Sequence, residues 1–135
     1  MSLRLIIAAA AAALLSSGAA HAQEPPPPKP ISAVKIVLVG DSTTAVYGGW
    51  GPSFCGRHVT SFVACLNLAR GGRSSGSYRA EGSWKIALSE LSNPNYRARY
   101  VLIQFGHNDQ PGKPGRSTDL KSEFPAYLKA YVEEA

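Results

Sequence analysis

The sequence has few of the residues that build metal sites. Its 135 residues include only two cysteines, Cys55 and Cys65, and three histidines, so a structural zinc site is not expected. The chain also lacks the G-x-G-x-x-G, G-x-x-x-x-G-K-[ST] and H-E-x-x-H motifs, which argues against dinucleotide-binding, P-loop and zinc-protease sites. Ser42 does not lie in a G-x-S-x-G elbow, so an ordinary α/β-hydrolase is not supported either.

Long hydrophobic runs are absent as well. The longest run, Leu5 to Leu15, is well short of the roughly 20 residues that a membrane-spanning helix needs. It follows Arg4 and precedes the small-residue segment AHA, a pattern typical of a secretory signal peptide cleaved before Gln23. We therefore expect residues 1–22 to be a signal peptide and the mature protein to be secreted or periplasmic.

The segment after this cleavage site is rich in proline. The run QEPPPPKP contains successive prolines that cannot join a helix or a central strand. Residues 23–33 are therefore expected to form an extended linker, and residues 34–135 are expected to form the folded domain.

The charge of the chain is mildly positive. A formal net charge of +5 is carried by scattered rather than clustered Lys and Arg residues, which argues against nucleic acid as a partner. An acidic polysaccharide is compatible with this charge.

Three apolar segments each end in a polar loop. Strands are predicted at Lys35–Val39, Cys65–Leu68 and Tyr100–Phe105, and they lead into GDSTTA, ARGGRSSGS and GHNDQPGKPG. The segments GWGPSFCGRHVTSF and SWKIALSELSN between them are predicted helices. This alternation predicts an α/β fold with a parallel sheet, in which ligands bind where the strands end. Ordinary connecting loops of similar composition are the alternative.

The three loops resemble sequence blocks of the SGNH, or GDSL-like, hydrolase family. GDST resembles the first block, with the nucleophile at Ser42, and ARGGRSS and GHND resemble the second and third, with Gly72 and Asn108. GGRSSGSYRAEG, IQFGHND and FPAYL are similar to the rhamnogalacturonan acetylesterase branch. The resemblance implies a three-layer, flavodoxin-like α/β fold, of which this chain would be the amino-terminal part, truncated after the third strand and its following helix.

The resemblance also implies a chemistry. Ser42 would attack an acetyl ester of a carbohydrate such as pectic rhamnogalacturonan, and water would release acetate from the acetyl-enzyme. The backbone N–H groups of Ser42 and Gly72 and the amide of Asn108 would stabilise the oxyanion. No metal or cofactor is implied. Alternatives are a lipid or aryl esterase of the same fold, or a truncated, non-catalytic module that binds acidic polysaccharide through basic residues, namely Arg73, Arg79 and Lys113.

The family's fourth block, Asp-x-x-His, has no counterpart in this sequence. It would supply the base and its orienting acid, yet no histidine follows His107. His107 lies beside the proposed donor Asn108, and neighbouring residues tend to point in different directions. We therefore expect the 135-residue chain to be inactive by itself.

An apolar stripe at helical spacing predicts a last helix, and its members are Phe124, Tyr127, Leu128, Tyr131 and Val132.

Several other residues have interpretations that do not involve catalysis. Asp41 is expected to accept hydrogen bonds from turn amides, and His58 to lie in packing or on the surface. Trp50 is expected in the core rather than on a sugar ring. For Arg73, Arg79 and Glu81, internal ion pairs and contacts with galacturonate are both open.

An exported protein with an even number of cysteines favours a disulfide. Cys55 lies in the first predicted helix, and Cys65 lies at the start of the second predicted strand. A disulfide between them is therefore predicted.

Overall fold

The computed structural model describes Pro27 and residues 32–135. The predicted signal peptide and most of the predicted linker therefore lie outside the described residues. The elements in chain order are β1 (Val34–Gly40), α1 (Gly51–Arg57), β2 (Val63–Asn67), α2 (Ser75–Ala80), α3 (Ser83–Leu91), β3 (Ala98–Gln104) and α4 (Glu123–Glu134). The predicted alternation of strands and helices is confirmed, and α2 is an additional helix where a loop was expected.

The sheet has three parallel strands in the order β2-β1-β3. Ile36 of the central strand pairs with Cys65 on one side and with Tyr100 on the other. Strand order reverses at β1, so the switch point lies between the carboxyl ends of β1 and β3. This is the order with which flavodoxin-like sheets begin, and the predicted α/β class is confirmed.

Helices cover both faces of the sheet. Side chains of a strand alternate between the faces, and Val37 and Val39 of β1 pack on the same side as α2, α3 and α4. The buried hydrophobic core on this side consists of Val37, Val39, Tyr78, Trp84, Ala87, Leu91 and Tyr131. On the opposite side Leu38 is buried, and a disulfide joins Cys65 to Cys55 of α1. The three layers are therefore α1, the sheet, and the remaining helices.

Tyr131 fixes the last helix to the core. The Tyr131 ring stacks on Phe105 with centroids 5.4 Å apart and meets Trp84 edge-on at 4.6 Å. Its hydroxyl donates to the carbonyl of Ser75, at 2.8 Å. Tyr131 is fully buried as the apolar stripe predicts, but Val132 is 76% exposed, so the predicted stripe is wrong at that position.

The acidic end of α4 has partners in the neighbouring helices. A carboxylate in the last turn of a helix opposes the helix dipole. Glu134, however, accepts a hydrogen bond from Arg79 at 2.6 Å and one from the Trp84 indole at 2.7 Å. These contacts hold the pKa of Glu134 below its ordinary value. They attach the end of α4 to α2 and α3.

The disulfide between Cys55 and Cys65 is confirmed. Its Cα atoms are 5.5 Å apart, within the range that a disulfide spans without backbone movement. It attaches the short helix α1 to the edge strand β2. Closing a loop of this size stabilises a domain by about 2 to 3 kcal/mol in the chain-entropy model.

No helix among the described residues is long and apolar enough to cross a membrane.

Candidate active site

Ser42 lies in a tight turn directly after β1. The buried carboxylate of Asp41 accepts hydrogen bonds from the backbone N–H and the hydroxyl of Thr43, both at 2.8 Å. The Asp41 carbonyl accepts from the N–H groups of Thr44 and Ala45. Asp41 thus accepts hydrogen bonds from turn amides, as expected. Ser42 is exposed, and these hydrogen bonds hold the backbone of its turn.

The second loop lies against this turn because β1 and β2 remain paired beyond the end of β2. The N–H of Arg70 donates to the Gly40 carbonyl at 2.9 Å. This pairing places Gly71 beside Ser42, since a Cβ on Gly71 would lie 3.7 Å from the Ser42 Cβ. Gly72 follows with φ +78°, a conformation that favours glycine.

The third loop joins the second through Asn108. Its side chain is 4% exposed, and its Nδ2 donates to the carbonyl of Arg73 at 3.0 Å. An amide nitrogen carries two hydrogens, so this contact leaves one for another acceptor. Three loops separated in the sequence are thus brought to one edge of the sheet, with Ser42 against Gly71 and Asn108 against Arg73.

Two backbone donors at this edge are not used within the fold. Among the described residues, no hydrogen bond uses the N–H of Ser42 or of Gly72, and none uses the Ser42 hydroxyl. Unused N–H groups beside an exposed serine are what oxyanion stabilisation requires.

A buried carboxylate next to Asn108 connects the loops, and sequence reasoning gave it no role. Asp109 is fully buried. Its carboxylate accepts from the Ser75 hydroxyl at 2.5 Å, from the Gly106 N–H at 3.1 Å and from the Thr118 hydroxyl at 3.1 Å. It also accepts from the backbone N–H of Ser75. Asp109 therefore ties the start of α2 to both ends of the third loop.

Replacing Asp109 with asparagine is expected to lower the free energy of unfolding by about 3 kcal/mol or more. An amide NH₂ would face donors that now meet a carboxylate oxygen, and buried N–H groups would lose their acceptor. Urea denaturation of the 135-residue chain measures the change. Asp119→Asn is the matched control, because Asp119 also accepts several hydrogen bonds but is exposed. Equal losses in the two variants would contradict the role of Asp109.

Arg116 is a second residue at this edge that sequence reasoning missed. One guanidinium nitrogen, Nη1, lies 3.4 Å from Oδ1 of Asn108. The same atom lies 3.4 Å from the position that a Cβ on Gly72 would take. Arg116 therefore adjoins two of the three predicted site residues, and its loop carries no sequence pattern that indicates this contact.

The other arginines near the second loop form ion pairs. Arg73 and Arg70 both approach Glu81, at 3.0 and 3.5 Å, and Arg79 pairs with Glu134 at 2.6 Å. Partial burial of Glu81 opposes its ionisation, but hydrogen bonds from Ser83 and Arg73 and the charges of Arg73 and Arg70 outweigh this and lower its pKa. Internal ion pairs are thus the observed state of Arg73 and Arg79.

Neither described histidine forms a hydrogen bond with the serine. His58 follows α1 and is exposed, and His107 is exposed in the third loop. Among the hydrogen bonds of the described residues, none joins a histidine to Ser42. This part of the chain therefore places no base on the serine hydroxyl.

The expectation that Trp50 is a core residue is wrong. Trp50 is 38% exposed, and its indole N–H donates to Oε1 of Gln104 at 2.6 Å. The same oxygen accepts from the Thr44 hydroxyl at 2.6 Å. An indole has a polar N–H that needs a partner. Here that partner is at the end of β3, which keeps the ring at the sheet's edge.

The chain is similar in sequence to known rhamnogalacturonan acetylesterases. No family model matches the chain. It is 36% identical over 107 residues to the probable rhamnogalacturonan acetylesterase YesY of Bacillus subtilis (strain 168), covering 74% of this chain and 47% of that protein. It is 35% identical over 109 residues to the rhamnogalacturonan acetylesterase RhgT of the same strain, covering 76% and 44%. A rhamnogalacturonan acetylesterase of Emericella nidulans is 41% identical over 78 residues, covering 57% and 29%. The chain spans about half the length of the two Bacillus relatives.

Proposed function

Because about three quarters of this chain is homologous to part of the rhamnogalacturonan acetylesterases, we propose that it supplies the nucleophile and the oxyanion hole of a secreted or periplasmic serine esterase. The substrate is an acetylated carbohydrate, and acetylated rhamnogalacturonan is the one that the relatives' names support. The observation that carries the proposal is the meeting of three loops, with exposed Ser42 beside Gly71, with Gly72 next along that second loop, and with Asn108 joined to the same loop.

The reaction has two steps. The Ser42 oxygen attacks the acetyl carbonyl carbon while its hydroxyl proton passes to a base that the described residues do not supply. The bond to the sugar oxygen then breaks, and the sugar oxygen takes up that proton and leaves as a hydroxyl. Water then attacks the acetyl-serine and releases acetate. Both steps place negative charge on the carbonyl oxygen. The N–H groups of Ser42 and Gly72 and the remaining amide hydrogen of Asn108 are the donors for that oxygen.

The hydrogen bonds that hold the loops of Ser42 and Asn108 support the assignment of the oxyanion donors. Asp41 fixes the turn that carries Ser42, and Asp109 fixes the loop that carries Asn108. Donors that are already in position cost no reorganisation when charge develops. Asp41 and Asp109 therefore position the proposed donors by holding the loops that carry them.

Activity is measured on an extended version of the chain, read through the downstream reading frame to the length of the curated relatives. Acetate released from acetylated rhamnogalacturonan supports the proposal. Turnover of lipid or aryl esters without release from the polysaccharide would favour the other esterases of this fold. Binding of the polysaccharide without any acetate release would favour the non-catalytic module.

Asn108→Ala in the extended version is expected to slow kcat about 100-fold, with little change in KM. The amide hydrogen acts on charge that exists only in the transition state, so ground-state binding does not depend on it. Steady-state kinetics with acetylated rhamnogalacturonan measure both constants. Asn95→Ala, at an exposed asparagine between α3 and β3, is the control and should keep the normal kcat. A rise in KM alone would make Asn108 a substrate-binding residue instead.

A further inference from the structure

One cation beside the site differs from its neighbours. Arg70, Arg73 and Arg79 each approach a glutamate. Arg116 is partly buried and forms no ion pair with any described residue. A partly desolvated guanidinium without a carboxylate is suited to accept one from a ligand.

The position of Arg116 places that charge next to two of the proposed oxyanion donors, Gly72 and Asn108. Its Nη1 contacts Asn108 Oδ1 at 3.4 Å and lies above Gly72. A guanidinium has five N–H donors, and the contact with Asn108 uses one of them among the described residues. The others are available within a short distance of the oxyanion donors.

The loop that carries Arg116 is held in place by the fold. The N–H of Thr118 donates to the Asp109 carbonyl at 3.0 Å, and the Thr118 hydroxyl donates to the Asp109 carboxylate. The Ser117 N–H donates to the Lys113 carbonyl at 2.9 Å and closes the turn around Arg116. The loop that carries the guanidinium is therefore held by Asp109, the same buried aspartate that holds the loop of Asn108.

We propose that Arg116 binds a substrate carboxylate, that of a uronic acid unit of the acetylated polysaccharide, and that it gives the site a preference for acidic polysaccharide. This rests on the proposed function, because the polysaccharide reaches Arg116 when its acetyl group reaches the donors at Gly72 and Asn108. The planar guanidinium matches a carboxylate through two parallel hydrogen bonds. Arg73 and Arg79 are already occupied by glutamates, so Arg116 replaces them as the recognition residue.

The test uses binding, so it does not depend on turnover. Deacetylated rhamnogalacturonan oligosaccharide and its carboxyl-reduced, neutral counterpart are titrated into the 135-residue chain by calorimetry. We expect the acidic form to bind about tenfold or more tightly than the neutral form. Arg116→Gln should remove this preference. Arg116→Lys should keep part of it, because lysine retains the charge but loses the paired geometry.

Arg97→Gln is the matched control. Arg97 is exposed just before β3, at the opposite end of that strand from the site, and this variant should keep the full preference. Circular dichroism verifies that each variant is folded. The proposal is overturned if the unsubstituted chain binds both saccharides equally or if Arg116→Gln retains the preference. The second result would be expected if Arg116 only orients Asn108.

The two proposals fail separately. Acetate release by the extended version without a carboxylate preference dependent on Arg116 would overturn the recognition role and leave the esterase proposal intact. An Arg116-dependent preference without acetate release by the extended version would support the recognition role and overturn the esterase.

Discussion

Ser42→Ala will lower acetate release by the extended version by at least about four orders of magnitude while binding of the polysaccharide is retained. The substitution removes the only atom that forms the acyl bond in the proposed reaction. It leaves the turn intact, because Asp41 bonds to Thr43, Thr44 and Ala45 rather than to Ser42. Acetate release and calorimetric binding to the same polysaccharide measure the two effects.

Ser53→Ala is the control for this substitution. Ser53 is an exposed serine in α1, so its loss removes a hydroxyl of the same kind from a residue that belongs to none of the three loops. It should leave acetate release unchanged. Substantial activity in Ser42→Ala would show that another group is the nucleophile, and the mechanism would have to be abandoned.

The chain without its predicted signal peptide, residues 23–135, is expected to hydrolyse an activated acetyl ester several orders of magnitude more slowly than the extended version. The described residues include the proposed nucleophile and the three proposed donors, but none of their hydrogen bonds joins a histidine to the serine hydroxyl. Serine hydrolases that lack a member of their triad keep only the residual catalysis of the oxyanion hole and of binding. The comparison uses residues 23–135 beside the extended version with the same ester.

His107→Ala provides the control for this comparison. His107 is the described histidine closest in sequence to Asn108, and it is exposed. If the short form turned over at ordinary esterase rates and lost this activity in His107→Ala, His107 would be the base. The expectation that His107 takes no part in catalysis would then be wrong.

The strands and the parallel sheet could be predicted because their signals are local. Short apolar runs bounded by Gly, Asp and Asn locate the three strands within about two residues of their observed bounds. The order β2-β1-β3 was not predicted from these runs, since hydrophobic pattern alone does not choose which strand is central.

Helix α2 was missed because its sequence, SGSYRA, has no apolar period. Its start is instead specified by polar contacts: the Ser74 hydroxyl accepts from the Ser77 N–H, and the Ser77 hydroxyl accepts from the Ser74 N–H. Such reciprocal capping is a start signal that could have been recognised. Tyr78 then anchors the helix, with its hydroxyl donating to the Leu68 carbonyl and burial raising its pKa to about 12.

The connecting residues of the site could not be predicted because their contacts are long-range. Asp109 accepts a hydrogen bond from Ser75, although α2, α3 and β3 separate the two residues in the sequence. The approach of Arg116 to Gly72 and Asn108 depends on how the third loop folds back over the second. Sequence pattern identifies residue types that suit a chemistry, but only the packed loops show which charges adjoin them.

The most direct test of the account is to identify the acyl bond. The extended version is mixed with acetylated rhamnogalacturonan, quenched in acid within the first turnovers, digested, and examined by mass spectrometry. The account predicts an acetyl group on Ser42, lost on longer incubation as acetate accumulates and absent from Ser42→Ala. Acetate release with no acetyl group on Ser42 in rapidly quenched samples, or with the acetyl group on another residue, would contradict it.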